Sequence, residues 1–130
     1  MVDIMSLTVE PKDYTKMVAR KLSTDKYNVK GVVFNKGSKN VYNVEIQMDT
    51  ETLEKTSKVR VSCSCDDFKF RWAAVLHTKG GLLNPNKFRL DPPKVTNPNN
   101  VVQACKHIHT FIKNEMDHKL RTISTRRDSL

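Results

Sequence analysis

The sequence lacks the features that mark membrane and secreted proteins. No stretch approaches the ~18–20 consecutive apolar residues of a membrane-spanning helix. The N-terminal segment MVDIMSLTVEPKDY contains acidic residues and no basic region ahead of an apolar block, so it is unlike a secretory signal. A block of roughly five or six like charges, as in a polybasic membrane anchor, is also missing. We therefore expect a soluble protein that folds in a reducing compartment.

Apolar residues and cysteines are also few. Hydrophobic residues make up 38% of the 130-residue chain and the mean hydropathy is −0.56, so a single domain of residues 1–130 would bury only a thin core. The chain has three cysteines, which leaves one thiol over in any set of disulfides. A domain with a thin core and free thiols is a candidate for stabilisation by a metal ion.

Positive charge is abundant. Lys and Arg number 23 against 14 Asp and Glu, a formal net charge of +9, and the pI is about 9.6. The second half of the chain, from residue 61, is the more basic, with 12 basic and 6 acidic residues. This balance suggests an acidic or polyanionic partner, although a solvated basic surface without a partner accounts for it equally well.

Residue patterns predict an α+β fold. The segment Pro11–Leu22 places apolar residues at helical spacing behind a suitable N-cap and predicts an N-terminal helix. VKGVVF and VYNVEIQM flank the turn sequence NKGSKN and predict a β-hairpin. Residues 58–65, KVRVSCSC, alternate without a break and add a strand, which makes a small antiparallel sheet of about three strands.

The second half of the chain predicts two helices separated by a long insert. One short helix begins near Asp66, and a final helix runs from about Ala104 towards Ile123. Between them, residues 78–100 hold four of the five prolines. Loops of this length are uncommon in compact domains unless they are functional or cross the surface in an ordered way.

Two cysteines one residue apart carry the clearest chemical signal. On a strand, the Cα atoms of Cys63 and Cys65 would lie ~6.6–6.8 Å apart, at the outer limit for a disulfide, but both thiols would face one side and suit a shared tetrahedral metal. Cys105 and His107 repeat this spacing at the start of the last helix. Three thiolates and one imidazole form a closed zinc-ligand set without an open position for a catalytic water, so we do not expect an enzyme.

Several alternatives to a zinc site stay open from the residues alone. The three cysteines could be ordinary buried thiols or ligands of an iron–sulfur cluster, and Cys105 could form a catalytic pair with a histidine. His109 is a rival fourth ligand, although helical spacing turns it ~200° away from His107. His77 and His118 are expected at the surface or at helix ends.

The two motifs together resemble the SWIM zinc finger, with C-x-C at Cys63-Ser64-Cys65 and C-x-H at Cys105-Lys106-His107, inside a module of residues 61–112. The 39 residues between Cys65 and Cys105 make a longer insert than most such modules carry. The Asn-Pro and Pro-Pro steps of the 78–100 insert are more similar to small bacteriophage proteins that bear this finger. The resemblance implies a zinc-stabilised module that binds protein or nucleic acid, located in a virion or in the host cytoplasm.

Two non-enzymatic functions compete on this basis. The first is an adaptor or structural component of a bacteriophage particle or another large assembly, in contact with protein partners or with further copies of itself in a homo-oligomer. The second is a nucleic-acid-binding protein that contacts DNA, or an acidic partner, through a basic surface. The candidate contact residues are Lys58, Arg60, Lys69, Arg71, Lys106, Lys113, Arg126 and Arg127. We expect neither a membrane partner nor a small-molecule substrate.

Overall fold

A five-stranded antiparallel sheet is the framework of the computed structural model of this protein, which describes residues 1–7, 17–51, 53, 55–88 and 103–115. The strand order is β1-β5-β4-β3-β2. The strands are β1 (Val2–Asp3), β2 (Met17–Asp25), β3 (Asn28–Asn35), β4 (Val41–Met48) and β5 (Lys58–Cys63).

Helical structure in the described residues is short. Residues 66–78 form one helical segment, composed of an opening turn, a π-helix over Phe68–Trp72 and the α-helix α1 (Ala73–Thr78). A second α-helix, α2, covers residues 106–115. Single turns of 3-10 helix occupy Ile4–Leu7 and Pro85–Lys87. Within this part of the chain, no helix has the length and apolar character needed to cross a membrane.

The expected N-terminal helix over Pro11–Leu22 is wrong. Residues 17–25 form β2, which pairs with β3 and sets Ala19 opposite Val33. Helical spacing was misleading because Leu22 lies at an irregularity of β2 and is 66% exposed, so it belongs to no buried stripe. The part of the expected helix before residue 17 lies outside the described residues.

The expected number of strands is also wrong, since the sheet has five strands and not about three. The two extra strands, β1 and β2, lie at the edges of the sheet, where only one neighbour pairs with each. The central strands follow their sequence patterns. β3 and β4 form the hairpin expected around NKGSKN, with Gly37 at φ 81° in the left-handed region that favours glycine.

One face of the sheet is covered by the helical segments. Residue alternation points the buried side chains of the three central strands to this face: Val29, Val33, Val44, Ile46, Met48, Val59, Val61 and Cys63. Phe111 of α2 lies over Gly31, where an added Cβ would come 2.0 Å from its ring. Phe68, Ala73 and Leu76 of the first helical segment join the same core. The other face of the sheet has no helical layer among the described residues.

The first part of the long insert packs against the sheet. Leu82 is buried and forms a parallel bridge with Val61, whose amide donates to Gly81 O at 2.8 Å. Phe88 packs edge-on against Phe68, with ring centroids 5.4 Å apart. The bridge at Leu82 pairs β5 on the same edge as β1, past the residues of β5 that β1 itself pairs with. The insert from residue 89 to 100 lies outside the described residues, and the boundaries 1–130 and 61–112 stay predictions.

Candidate metal centre

Four side chains converge between the sheet and the two helical segments. The ligand atoms of Cys63, Cys65, Cys105 and His107 all lie within 4.8 Å of one another, and all four residues are buried. Cys63 Sγ and His107 Nδ1 are 3.9 Å apart. Tetrahedral zinc with bonds of ~2.3 Å to sulfur and ~2.0–2.1 Å to nitrogen would set such a pair ~3.6 Å apart. The cluster could therefore hold a metal ion, in the manner of a zinc-finger motif.

The end of β5 and the turn after it supply the first two thiols. Cys63 is the last residue of β5 and pairs with Val44, so its side chain faces the covered side of the sheet. Cys65 lies beyond the strand end, in contrast to the uninterrupted strand expected over residues 58–65. Ser64 anchors this turn, because its amide donates to Asn43 O at 3.1 Å and its Oγ accepts from the Asn43 amide at 2.9 Å.

The first residues of the helical segment support Cys65 directly. The Phe68 amide donates to Cys65 Sγ at 3.3 Å, and the Lys69 amide donates to the Cys65 carbonyl at 3.2 Å. Phe68 itself is fully buried in the core. Burial of the Phe68 side chain thus positions the start of the helical segment, and with it the amide that donates to the Cys65 thiol.

The start of α2 supplies the other two side chains of the cluster. Cys105 precedes the helix, and its carbonyl accepts from the His109 amide at 3.2 Å. His107 lies in the first turn and stacks on Tyr42 of β4, with ring centroids 4.2 Å apart and 30° between the planes. Sequence reasoning did not identify Tyr42 as part of the site. Its position two residues before Val44 indicates that it faces the covered side of the sheet, but not that it meets His107.

The three thiols differ in their affinity for protons. Burial raises the pKa of Cys105, and the neighbouring Cys63 and Cys65 raise it further. Hydrogen bonds from Cys105 and Cys63 lower the pKa of Cys65, and the Phe68 amide acts in the same direction. The bond with Cys105 lowers the pKa of Cys63, but contact with Cys65 and burial outweigh it and raise the pKa overall. A divalent cation at the centre would favour loss of the remaining protons, because the thiolate is the metal ligand.

His109 lies outside the cluster, so the structure brings His107 and not its rival to the other ligands. His109 is buried, and its Nδ1 has no hydrogen-bond partner among the described residues. Burial lowers the pKa of His109, and a hydrogen bond with the Ala104 backbone partly opposes this effect. His77 is exposed near the end of α1, and His118 lies outside the described residues.

The basic residues expected to contact an acidic partner are divided between two sides of the sheet. Lys58 pairs with Asp3 at 2.7 Å, and Arg60 donates to Gln47 Oε1 at 2.9 Å on the uncovered face. In the helical layer, Arg71 pairs with Asp67 at 3.2 Å. Three further lysines are exposed in that layer: Lys69, Lys106 and Lys113. Arg126 and Arg127 lie outside the described residues.

Comparison of the chain with protein-family models, with curated proteins and with solved structures finds no match. The candidate metal centre is therefore defined by the positions of its own four side chains.

Proposed function

We propose that this protein is a non-enzymatic binding module whose fold is held together by one structural zinc ion. The convergence of three buried thiols and a buried imidazole within 4.8 Å supports this function. Thiolate ligands favour zinc over the harder divalent cations. Four protein ligands would complete a tetrahedral zinc site and leave no position for a catalytic water.

The position of the cluster explains why the metal would matter. It joins the end of β5 to the start of residues 66–78 and to the start of α2, so one ion would connect the sheet to both helical segments. Apparent zinc affinities of small fingers correspond to ~10–16 kcal/mol, against ~5–15 kcal/mol for the net stability of a whole domain. On these magnitudes, zinc decides whether the helical layer forms.

A zinc ion is also a better occupant than the alternatives. An iron–sulfur cluster needs space for several metal and sulfide atoms, whereas the ligand separations match a single ion. A catalytic Cys105–His107 pair would need a carboxylate or carbonyl to orient the imidazole, whereas the polar contacts of the His107 ring among the described residues are with the thiols of Cys63 and Cys65. Burial of both residues would also keep a substrate away from them.

The proposed partners are the subunits of a larger assembly. The sequence resemblance to finger-bearing bacteriophage proteins and the long insert support a component of a phage particle, located in the virion or the host cytoplasm. Native mass measurement of the purified chain, alone and from infected cells, tests this assignment. A chain that stays monomeric and is absent from particles would contradict it.

Metal analysis tests the zinc module itself. We expect one zinc per chain in the wild type and none in Cys63→Ser or Cys105→Ser, because each change removes a thiolate. His107→Asn should also lose zinc, and His77→Asn is its matched control, since His77 is exposed and lies outside the cluster. A cysteine variant that keeps one equivalent of zinc and an unchanged melting temperature would contradict the proposal.

A further inference from the structure

The uncovered face of the sheet divides into two halves of different chemistry. Near the β2–β3 turn, the outward positions are polar: Ser23, Asp25, Asn28, Lys30, Glu45 and Gln47. Near the β3–β4 turn, the outward positions are mostly apolar: Val18, Val32, Phe34 and Val41. Antiparallel sheets with one solvated face normally carry polar residues at such positions. The apolar half departs from this pattern and is a candidate contact surface.

Three of these apolar residues form a row across three strands. The register sets Phe34 of β3 opposite Val18 of β2 on one side and opposite Val41 of β4 on the other. Val41 is 52% exposed, and Val18 and Phe34 are half-buried, so solvent reaches the row. The guanidinium of Arg20 lies 5.7 Å from the centre of the Phe34 ring. A cation and an aromatic ring thus share this surface.

Positive charge lies beside the row. Arg20 of β2 is on the same face, whereas Lys21 faces the covered side and pairs with Glu115 at 3.7 Å. Residues 29–44 contain three lysines and no Asp or Glu. Two of these lysines, Lys36 and Lys39, are exposed in the β3–β4 turn at the end of the row.

Hydrogen bonds within the β3–β4 turn define the backbone that carries these lysines. The Ser38 amide donates to the Asn35 carbonyl at 3.0 Å, and the Asn40 amide donates to Ser38 Oγ at 3.1 Å. The turn therefore keeps a defined conformation beside Phe34 and Val41. Lys36 and Lys39 extend from this turn at the end of the apolar row.

The charges select among possible occupants of this surface. A second copy of the chain would set the same cations against each other, and like charges across an interface are unfavourable. A polyanion would instead be attracted, in keeping with the formal net charge of +9. Nucleic acid is the polyanion whose flat bases stack on aromatic side chains, and single strands present those bases unpaired.

We propose that the surface formed by Val18, Arg20, Phe34, Lys36, Lys39 and Val41, here called the basic sheet face, binds single-stranded nucleic acid. A base stacks on the Phe34 ring, and neighbouring phosphates contact Arg20, Lys36 and Lys39. This inference rests on the proposed role as a non-enzymatic binding module and names single-stranded nucleic acid as the ligand of that module. Such binding differs from contact through Lys69, Arg71, Lys106 and Lys113, because those residues belong to the helical layer on the other side of the sheet.

Fluorescence anisotropy tests this binding. The full zinc-loaded chain is titrated against a labelled single-stranded oligonucleotide of mixed sequence between 50 and 200 mM salt, because affinity from phosphate contacts falls steeply over this range. Three phosphate contacts predict a slope of about −2 in log K against log salt, at ~0.7 per contact on single strands. Phe34→Leu should weaken binding roughly 5- to 150-fold, because it removes a stacking ring but keeps an apolar side chain. Phe34→Tyr should retain the affinity.

Charge variants locate the contact. Lys36→Gln and Lys39→Gln should each make the salt slope shallower by ~0.7. Lys79→Gln is the matched control, since Lys79 is exposed just after α1 and lies away from the basic sheet face. A loss of affinity on Lys69→Gln as large as on Lys36→Gln would overturn the inference, because Lys69 lies in the helical layer.

Zinc content and melting temperature, measured on each variant, separate this inference from the zinc module. A chain with one zinc per molecule that fails to bind the oligonucleotide at 50 mM salt overturns the nucleic-acid inference alone. Tighter binding of duplex than of single strands overturns it as well, as does binding of polyglutamate in place of the oligonucleotide. Binding that survives in a chain shown to lack zinc supports the basic sheet face, because metal removal is expected to unfold the helical layer on the other side of the sheet.

Discussion

The phenol ring of Tyr42 stacks on the imidazole of His107 across the junction between sheet and helix, with 4.2 Å between ring centroids. Tyr42 belongs to β4, and His107 lies in the first turn of α2. This contact restricts the rotation of the imidazole in the candidate metal centre. Groups that orient a ligand in this way raise metal affinity, because less conformational freedom is lost on binding.

Replacement of Tyr42 by alanine should weaken zinc binding about 10- to 100-fold, the usual effect of removing a residue that supports a metal ligand. Competition with a chromophoric chelator measures the affinity. Tyr42→Phe is the matched control and should bind zinc as the wild type does, because the stacking ring is retained. Equal affinities of the alanine and phenylalanine variants would show that the stack has no orienting role.

Removal of the metal should unfold the helical layer. A strong chelator added to the zinc-loaded protein should cause loss of helical circular dichroism and of the near-ultraviolet signal of Trp72, which packs against the core. Readdition of zinc should restore both signals. Magnesium is the control ion, because it prefers oxygen ligands in octahedral geometry and should restore neither. Signals that do not change on chelation would refute the structural role of the metal.

Histidine variants should distinguish the two histidines at the start of α2. His107→Asn should change the visible spectrum of the cobalt-substituted protein, because one nitrogen ligand of the tetrahedral site is lost. His109→Asn should keep the spectrum and one equivalent of metal, even if its burial makes the protein less stable. The reverse pattern would identify His109 as the ligand.

The four residues of the cluster could be picked out from the sequence because their signal is local. C-x-C and C-x-H are recognisable from residue type and spacing alone. The side chain of Cys63 faces the core because side chains alternate between the two faces along β5. Convergence of the two pairs could not be predicted in the same way, because 39 residues separate Cys65 from Cys105. Tyr42 was missed for a related reason: strand alternation shows which way a side chain faces, but not which residue of another element it meets.

The N-terminal half shows where local patterns fail. Met17 and Val18 fit a helical stripe with Leu22, yet β2 forms because its backbone pairs with β3 from Met17↔Asn35 to Asp25↔Asn28. Pairing of this kind depends on the neighbouring strand, so propensity in β2 itself is a weak guide. The β3–β4 hairpin was easier to predict, because its turn residues and both strands lie within one short segment.

Gly31 is a position where only glycine fits. An added Cβ would lie 2.0 Å from Phe111 Cε2 and 2.7 Å from the Arg20 carbonyl, so α2 could not keep its place on the sheet. Gly31→Ala should lower the free energy of unfolding by about 1–3 kcal/mol, as overpacking of a core does. Urea denaturation of the zinc-loaded protein measures this change.

A double variant identifies the cause of that loss. Phe111→Leu removes the ring atoms that meet the new Cβ, so the Gly31→Ala change should be less harmful when made on the Phe111→Leu background. Gly37→Ala is a control for glycine substitution as such, since no atom lies near an added Cβ there and any loss would come from its positive φ alone. Additive effects of Gly31→Ala and Phe111→Leu would refute the contact as the cause.

Asp49 should stay ionised well below the usual pH for an aspartate. Its carboxylate accepts hydrogen bonds from Thr56 Oγ1 at 2.5 Å, from Ser57 Oγ at 2.9 Å and from the amides of Ser57 and Lys58 at 3.0 and 3.2 Å. These bonds, with that of Thr56 the largest effect, lower the pKa of Asp49 from 3.8 to about 2. Since the pKa is lower in the folded protein, the stabilising effect is complete above pH ~5 and is lost as the pH falls towards about 2.

Carboxyl-carbon NMR at pH 4.5 checks this behaviour. An aspartate with a pKa of 3.8 would be roughly one-sixth protonated at that pH, so the carboxyl signal of Asp49 should instead stay where it is at pH 7. Asp49→Asn should lower the melting temperature at pH 7, because the carboxamide has one acceptor oxygen where the carboxylate has two. An Asp49 signal that moves as in an unstructured peptide, together with an unchanged melting temperature of the Asn variant, would show that the turn between β4 and β5 does not depend on this carboxylate.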